Sequence, residues 1–374
     1  MLHFSTEEFA HRQARFRAAM AEAGVDYALL FAPETHYWLT GYDTFGFCFF
    51  QCMIVTPHDI HLLTRSADLR QAQLTSVVSD IRVWPDGTNP EESLAEMLTD
   101  LGVTGRVGAE LDTHGLTARN YQRLLRVQPD LVDISSLAPT LRLTKSTTEI
   151  AYIRRAAELC DAAFEATTPL LVPGASEADI LAAMQGAVLA GGGDYPGNPF
   201  IVGSGEHALL CRYATGRGTL LETDQITLEW AGVYRQYHVA AMRTVVIEEP
   251  TPKQHEMFEV ATEALSACEA ALKPGTPMRE VYAAHAEVFD EAGYGDHRLK
   301  ACGYALGARY APSWMEPQMF HAGAETVIAP NQVYFLHMIL MDSENGFAMC
   351  PGRTSLVTEA GVEPLSKLPL SIGP

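Results

Sequence analysis

The order of apolar and polar positions changes character part-way along the chain. Near the start, Phe9, Arg12, Phe16, Ala19 and Met20 recur at helical spacing behind a Ser5/Glu8 pair suited to an N-terminal capping box, and Gly24 supplies the stop. The run Tyr27–Phe31 then predicts a strand. Extended segments at 52–56, 60–64 and 106–108 alternate with helical ones at 69–76, 90–102 and 116–126, the rhythm of an α/β layered domain. Past residue 134 the pattern shifts. A short extended piece ends in Leu141-Arg142-Leu143-Thr144-Lys145, and Ser146-x-x-Glu149 opens a helix whose Ile150, Ile153, Ala157 and Phe164 share a face. A boundary placed here divides the chain into domains at 1–140 and 141–374. The second part predicts helices at 147–168, 176–190, 252–272 and 277–292 and strands at 199–203, 225–230, 236–247, 332–341 and 353–357, an α+β arrangement.

The length of 374 residues suits two domains, and 47% hydrophobic with 19% charged residues excludes disorder and fibrous repeats. With 26 Lys and Arg against 46 Asp and Glu, the net charge of −20 repels phosphate backbones and anionic lipid, so neither nucleic acid nor a membrane surface is expected as a partner. Cationic or zwitterionic ligands are favoured. The 7 cysteines are odd in number and form no Cys-x-x-Cys pair, which points to reduced core thiols. The chain opens on an acidic rather than a basic-then-apolar segment, and its most apolar stretch, Phe45–Val55, falls short of the roughly 20 residues of a membrane helix. A cytoplasmic location is the expectation.

Three places carry candidate chemistry. Glu229 is the one acid in the apolar strand Gln225–Gly232, facing opposite to Leu228 and Trp230; burial makes it a general acid or base, unless a cation such as Arg243 pairs with it structurally. Tyr237-His238 follows. The segment Gly303–Glu316 gathers Tyr304, Arg309, Tyr310, Trp314 and Glu316, aromatic faces and a carboxylate that suit a small cationic nitrogen compound or simply complete a core. His337 lies inside the apolar run Val333–Met341, where a histidine is commonly a satisfied core group. The glycine-rich Gly191–Asn198 lacks the phosphate-loop signature and precedes a strand, so it reads as a tight loop.

Leu141–Ser146, Phe200–Gly205, Tyr237–Thr244, Pro330–Val333 and Leu356–Leu365, in this order and spacing, resemble the pita-bread family of creatinase, Xaa-Pro peptidases, methionine aminopeptidase and ectoine hydrolase over nearly the whole chain. The resemblance implies an α/β N-terminal domain followed by an α+β pita-bread catalytic domain. The family's peptidases hold two metal ions through two Asp, one His and two Glu. Counting from Tyr237, the first Asp falls on Glu229, or on Trp230 if Ala231-Gly232 is the anchor. The second falls on Ala240, the His on Tyr304, the first Glu on His337 and the last Glu near Gly352. One carboxylate and one imidazole are too few for a dinuclear centre, so no metal or other cofactor is expected.

The stretches Trp38–Phe47 with Gln51-Cys52, Glu229–Gly232, Tyr237-His238 and Pro312–Trp314 look like ectoine hydrolase. Creatine is disfavoured as a substrate, because the family's substrate-side histidine falls on Arg212 and creatinase's cross-dimer Phe-x-Arg reads Phe45-Gly46-Phe47. The resemblance thus implies a homodimeric, metal-independent hydrolase of a C–N bond in a small nitrogenous compound, an amidine or a cyclic amidine such as ectoine. Glu229 or His238 would activate water, or Glu229 would attack directly. Arg243 or Arg212 would orient the acid or stabilise the developing oxyanion, with His337 also in the catalytic set. Phe45 and Phe47 of a partner subunit, with Trp230, Tyr304, Trp314 and Glu316, would bind substrate. A non-catalytic solute-binding protein and an Xaa-Pro-type peptidase with a displaced metal site are the competing readings.

Overall fold

The computed structural model describes residues 2–211 and 217–374, which divide into the units Met1–Arg142 and Leu143–Pro374. In the first unit the elements run α1 (Thr6–Glu22), β1 (Tyr27–Leu30), α2 (Pro33–Thr40), β2 (Cys52–Val55), β3 (Ile60–Arg65), α3 (Leu69–Thr75), β4 (Asp80–Trp84), α4 (Pro90–Asp100), β5 (Val107–Ala109), α5 (Ala118–Val127), β6 (Leu131–Asp133) and α6 (Leu137–Leu143). Their strands form a six-stranded mixed sheet in the order β4-β3-β2-β1-β5-β6. Alternation along β1 and β2 sends Ala28, Leu30, Met53 and Val55 into one core with α1, α2, α3 and α6, and Leu29, Cys52 and Ile54 into another with α4 and α5. This is the α/β layering that the sequence pattern implies.

Two segments differ from expectation. Residues 137–143 are helical rather than extended. Their alternating polarity imitates a strand, but Pro139 sits in the first turn, where it forfeits no helical hydrogen bond, and Ala138 packs into the first core. Helix α2 is buried along its whole length and so shows no amphipathic period; its first turn is held by the carboxylate of Glu110, which accepts from the Phe31 and Ala32 amides at 2.9 Å each and from the Thr35 hydroxyl at 2.6 Å.

The second unit contains α7 (Thr147–Thr167), α8 (Glu177–Ala190), β7 (Ile201–Ser204), β8 (Gln225–Tyr234), β9 (Tyr237–Val246), α9 (Pro252–Ala271), α10 (Met278–Glu291), β10 (Gly303–Ala305), β11 (Val333–His337), β12 (Leu340–Asp342), β13 (Phe347–Met349), β14 (Gly352–Thr358) and β15 (Gly361–Pro364). Its main sheet is antiparallel in the order β10-β11-β14-β9-β8-β7, with β15 paired to β14. Ser146 and Glu149 form a complete capping box on α7, as do Thr251 and Gln254 on α9. Helix α7 packs so tightly on β8 that a Cβ at Gly232 would lie 1.9 Å from the Ala156 carbonyl oxygen. Among the described residues no helix is long and apolar enough to cross a membrane.

Candidate active site

Register decides what each strand residue faces. Glu229 on β8 pairs with Met242 on β9, Met242 with Gly352 on β14, and Gly352 with His337 on β11, so these four positions share one face of the sheet. The same alternation adds Ala240 and His238 from β9, Phe335 from β11 and Tyr304, which pairs with Phe335. The residues one step along lie on the other face, against the helices. Glu229 is the one carboxylate that β7, β8, β9, β10, β11 and β14 place on the first face.

On that face Glu229 is buried, and its Oε1 accepts from the Tyr304 hydroxyl at 3.4 Å. The indole of Trp314 in turn donates from Nε1 to the Tyr304 oxygen at 2.8 Å. Tyr304, Phe335 and His337 form a triangle of rings with centroids 5.5 to 5.7 Å apart. Of the residues singled out in the sequence, Glu229, Tyr304, Trp314, His337 and His238 are therefore gathered on one surface. His238 is fully enclosed; its Nε2 accepts the Gly197 amide at 2.9 Å, and burial pushes its pKa down to about 4. Its Nε2 electron pair is engaged by the backbone, while its buried Nδ1 has no hydrogen-bond partner among the described residues.

Others lie elsewhere. Trp230 and Arg243 project from the opposite face, because Glu229 is directly across from Met242 and its sequence neighbours alternate away. The Trp230 indole donates to the Cys160 carbonyl at 2.8 Å and stacks on Phe164, so it locks α7 to β8 instead of walling a pocket. Arg243 is 2% exposed and donates through Nη1 to the carbonyls of Met242 and Gly352 at 2.8 and 2.7 Å, stapling β9 to β14; desolvation lowers its pKa to about 10. It neither pairs with nor orients Glu229. Glu316 is buried with its Oε2 3.5 Å from Arg309 Nη1, an ion pair within one loop. In the first unit Phe45 is 83% exposed and Phe47 half-buried, on either side of Gly46 in a short 3₁₀ turn. Arg212 lies outside the described residues.

The sequence reading missed Glu177, at the start of α8. This carboxylate accepts from the Ser204 amide and hydroxyl at 2.8 and 2.9 Å and from the Gly218 and Arg217 amides at 2.9 and 3.2 Å, and these bonds hold its pKa below the usual range against the opposing effect of burial. An acid at a helix N-terminus reads as a dipole partner. Nothing local reveals the two segments it ties together.

Residues 151–359 match the model of metallopeptidase family M24 and residues 12–144 that of the creatinase/prolidase N-terminal domain. The chain belongs to family M24 and has the pita-bread fold. It is 28% identical over 391 residues to the ectoine hydrolase of Halomonas elongata, covering 98% of this chain and 97% of that protein. It is 23% identical to the Xaa-Pro dipeptidase of Pyrococcus furiosus, covering 93% and 95%. Among solved structures, a prolidase from Thermococcus sibiricus superposes with a TM-score of 0.89 at 18% identity, covering 98% of this chain and 99% of that one. An Xaa-Pro dipeptidase from Bacillus anthracis gives 0.87 at 23%, with the same coverage.

The family's name implies metal, and the residues present do not fit one. Ala240 and Gly352 offer no donor, Tyr304 is committed to Trp314 and Glu229, and a Cβ built on Gly352 would meet the Leu336 carbonyl at 2.9 Å and the Phe335 ring at 3.1 Å. Among the described residues, no three His, Cys, Asp or Glu side chains are grouped to hold an ion.

Proposed function

We propose that this hydrolase cleaves, without metal, a C–N bond in a small amidine or cyclic amidine, ectoine being the type of compound meant. The observation that carries the reading is the Trp314–Tyr304–Glu229 hydrogen-bond chain, on the face where the family's peptidases carry metal ligands. Glu229 is the base. It takes a proton from water as the water oxygen bonds to the amidine carbon, and returns that proton to the departing nitrogen when the tetrahedral carbon collapses and one C–N bond breaks. The products are an amide and an amine, joined in one molecule if the amidine was cyclic. His238 is disfavoured as the base because its Nε2 already accepts from Gly197. The rings of Tyr304, Phe335 and His337 cluster beside Glu229, and aromatic rings next to a carboxylate are surroundings that suit a small flat cation.

The reading includes a homodimer in the cytoplasm, with Phe45 and Phe47 of one subunit closing the other's site. Its support is the 83% exposure of Phe45, a large apolar side chain left uncovered within its own unit. Phe45→Ala should raise KM for the true substrate, and a monomer in sedimentation would count against the shared site.

The test pairs elemental analysis with calorimetry of the purified protein against ectoine, other amidines and prolyl dipeptides. Expected are no stoichiometric divalent metal, indifference to chelators, and heat of reaction with an amidine. Glu229→Gln, which retains an acceptor for Tyr304, should lower kcat by roughly 10²–10⁴-fold with little change in melting temperature. Two bound metal ions lost together with activity, or turnover of prolyl dipeptides alone, would sink the proposal. Saturable heat without turnover would favour a solute-binding protein.

A further inference from the structure

A turn that no motif marks is fastened to the site from two sides. Gly197 donates its amide to His238 Nε2 at 2.9 Å, and Asn198 Oδ1 accepts the Trp314 amide at 3.2 Å. The fit is close: a Cβ on Gly197 would stand 2.8 Å from the Trp314 nitrogen and 2.9 Å from the Ser313 carbonyl carbon. The Asn198 amide nitrogen donates to the Pro199 carbonyl at 3.1 Å, so both ends of that side chain agree on which atom is oxygen.

Each hydrogen bond in the series has one possible polarity. A backbone amide only donates, so His238 Nε2 carries no proton and the ring is the Nδ1–H tautomer. An indole also only donates, so the Tyr304 oxygen accepts from Trp314, and its own single proton is directed to the Glu229 carboxylate. A donor aimed at a carboxylate stabilises the anion, and a phenol that accepts a hydrogen bond has its rotor fixed.

We infer that the Gly197-Asn198 turn, held by His238, is a positioning element that sets the Trp314 ring and, through Tyr304, the direction and basicity of Glu229. His238 acts here as an anchor for the backbone. The inference rests on the proposed catalytic role of Glu229, but its structural half stands apart from that role and has its own readout.

Asn198→Ala removes the acceptor for the Trp314 amide without adding bulk, and Asn198→Asp retains it. Asn198→Ala should lower kcat roughly ten- to a hundred-fold with KM changed less than about threefold, and should move the acid limb of the kcat–pH profile upward, because a misdirected Tyr304 no longer stabilises the Glu229 anion. Asn198→Asp should recover most of the loss. Near-UV circular dichroism, with the Trp314 contribution identified from Trp314→Phe, should show that contribution altered in Asn198→Ala and restored in Asn198→Asp. An unchanged Trp314 signal in Asn198→Ala overturns the inference outright. So does a wild-type kcat and acid limb in an enzyme that Glu229→Gln inactivates. Full activity of Glu229→Gln overturns the catalytic reading instead, and leaves the Trp314 signal to decide the positioning.

Discussion

Replacing Gly232 by alanine should damage this protein more than the loss of any one hydrogen bond. The added Cβ would lie 1.9 Å from the Ala156 carbonyl oxygen, 2.3 Å from the Cys160 nitrogen and 2.9 Å from its Cα. All three are backbone atoms of α7, so no rotamer change relieves the clash. Non-bonded carbon contacts settle near 3.5 Å, which obliges β8 and α7 to part by on the order of 1–1.5 Å. Overpacking of this kind costs about 1–3 kcal/mol. Separation also breaks the bond from Trp230 to the Cys160 carbonyl, about 1 kcal/mol, and weakens the Trp230–Phe164 stack, about 0.5–1.5 kcal/mol. The sum is roughly 3–5 kcal/mol, a melting-point drop of about 6–20 °C for a unit of this size. Thermal melts followed by far-UV circular dichroism, with urea unfolding as a second measure, would read it. Glu229 lies on the same strand, so kcat should fall in the surviving folded enzyme. A Gly232→Ala protein melting within about 3 °C of wild type would refute the claim that this close approach holds the site strand in place.

Stability should also depend on pH. His36 and His238 have folded pKa values near 4 and His285 near 3, all lowered chiefly by burial, against about 6.5 in the unfolded chain. The unfolded state therefore binds protons first. The urea midpoint should be highest above about pH 6.5 and fall as pH drops toward 4; a midpoint flat over that window would show that these rings are not buried neutral. Among the described residues His285 has no hydrogen-bond partner on either ring nitrogen, and it packs edge-on to Phe289 at 4.8 Å, so His285→Phe should be neutral to stabilising by about 1 kcal/mol and should flatten part of the acid loss, whereas a clear destabilisation would reveal a hidden partner. Glu177→Gln, which strips a charge from four donors, should cost about 2–3 kcal/mol by urea unfolding, and a loss below about 0.5 kcal/mol would show the clamp to be incidental.

The parts of the fold with strong local signals were readable from the chain. Capped amphipathic helices such as α7 and long alternating strands such as β8 and β9 announce themselves through side-chain period and caps. Helix α2 and the short β4 and β6 were not: a fully enclosed helix has no polar stripe, and β4 and β6 are only partly buried, so they lack the continuous apolar run that marks the equally short β1 and β2. At the site, the face of Glu229 follows from strand alternation, and the same rule already places Trp230 on the other side. Arg243 needed one further fact, that residue 229 pairs with 242 rather than 243, which depends on the two-residue turn at Arg235-Gln236. Tyr304 and Trp314 stand out together as one aromatic segment, but the bond from Tyr304 to Glu229 spans 75 residues and no spacing rule brings that pair together.

The hydrocarbon packed around Gly352 bears on how this enzyme could change over generations. The Phe335 ring and the Leu336 carbonyl already occupy the room a side chain at residue 352 would need, and the Gly352 carbonyl is engaged by Arg243. A lone mutation to glutamate there would meet a crowded, stapled backbone before it met an ion. Ala240, Tyr304 and His337 would also have to change before the new acid had companions. Each intermediate would bear the expense of an isolated buried charge with none of the reward of a bound cation. A dinuclear centre built on these positions therefore lies several coupled substitutions away, with no single change that improves on the one before it.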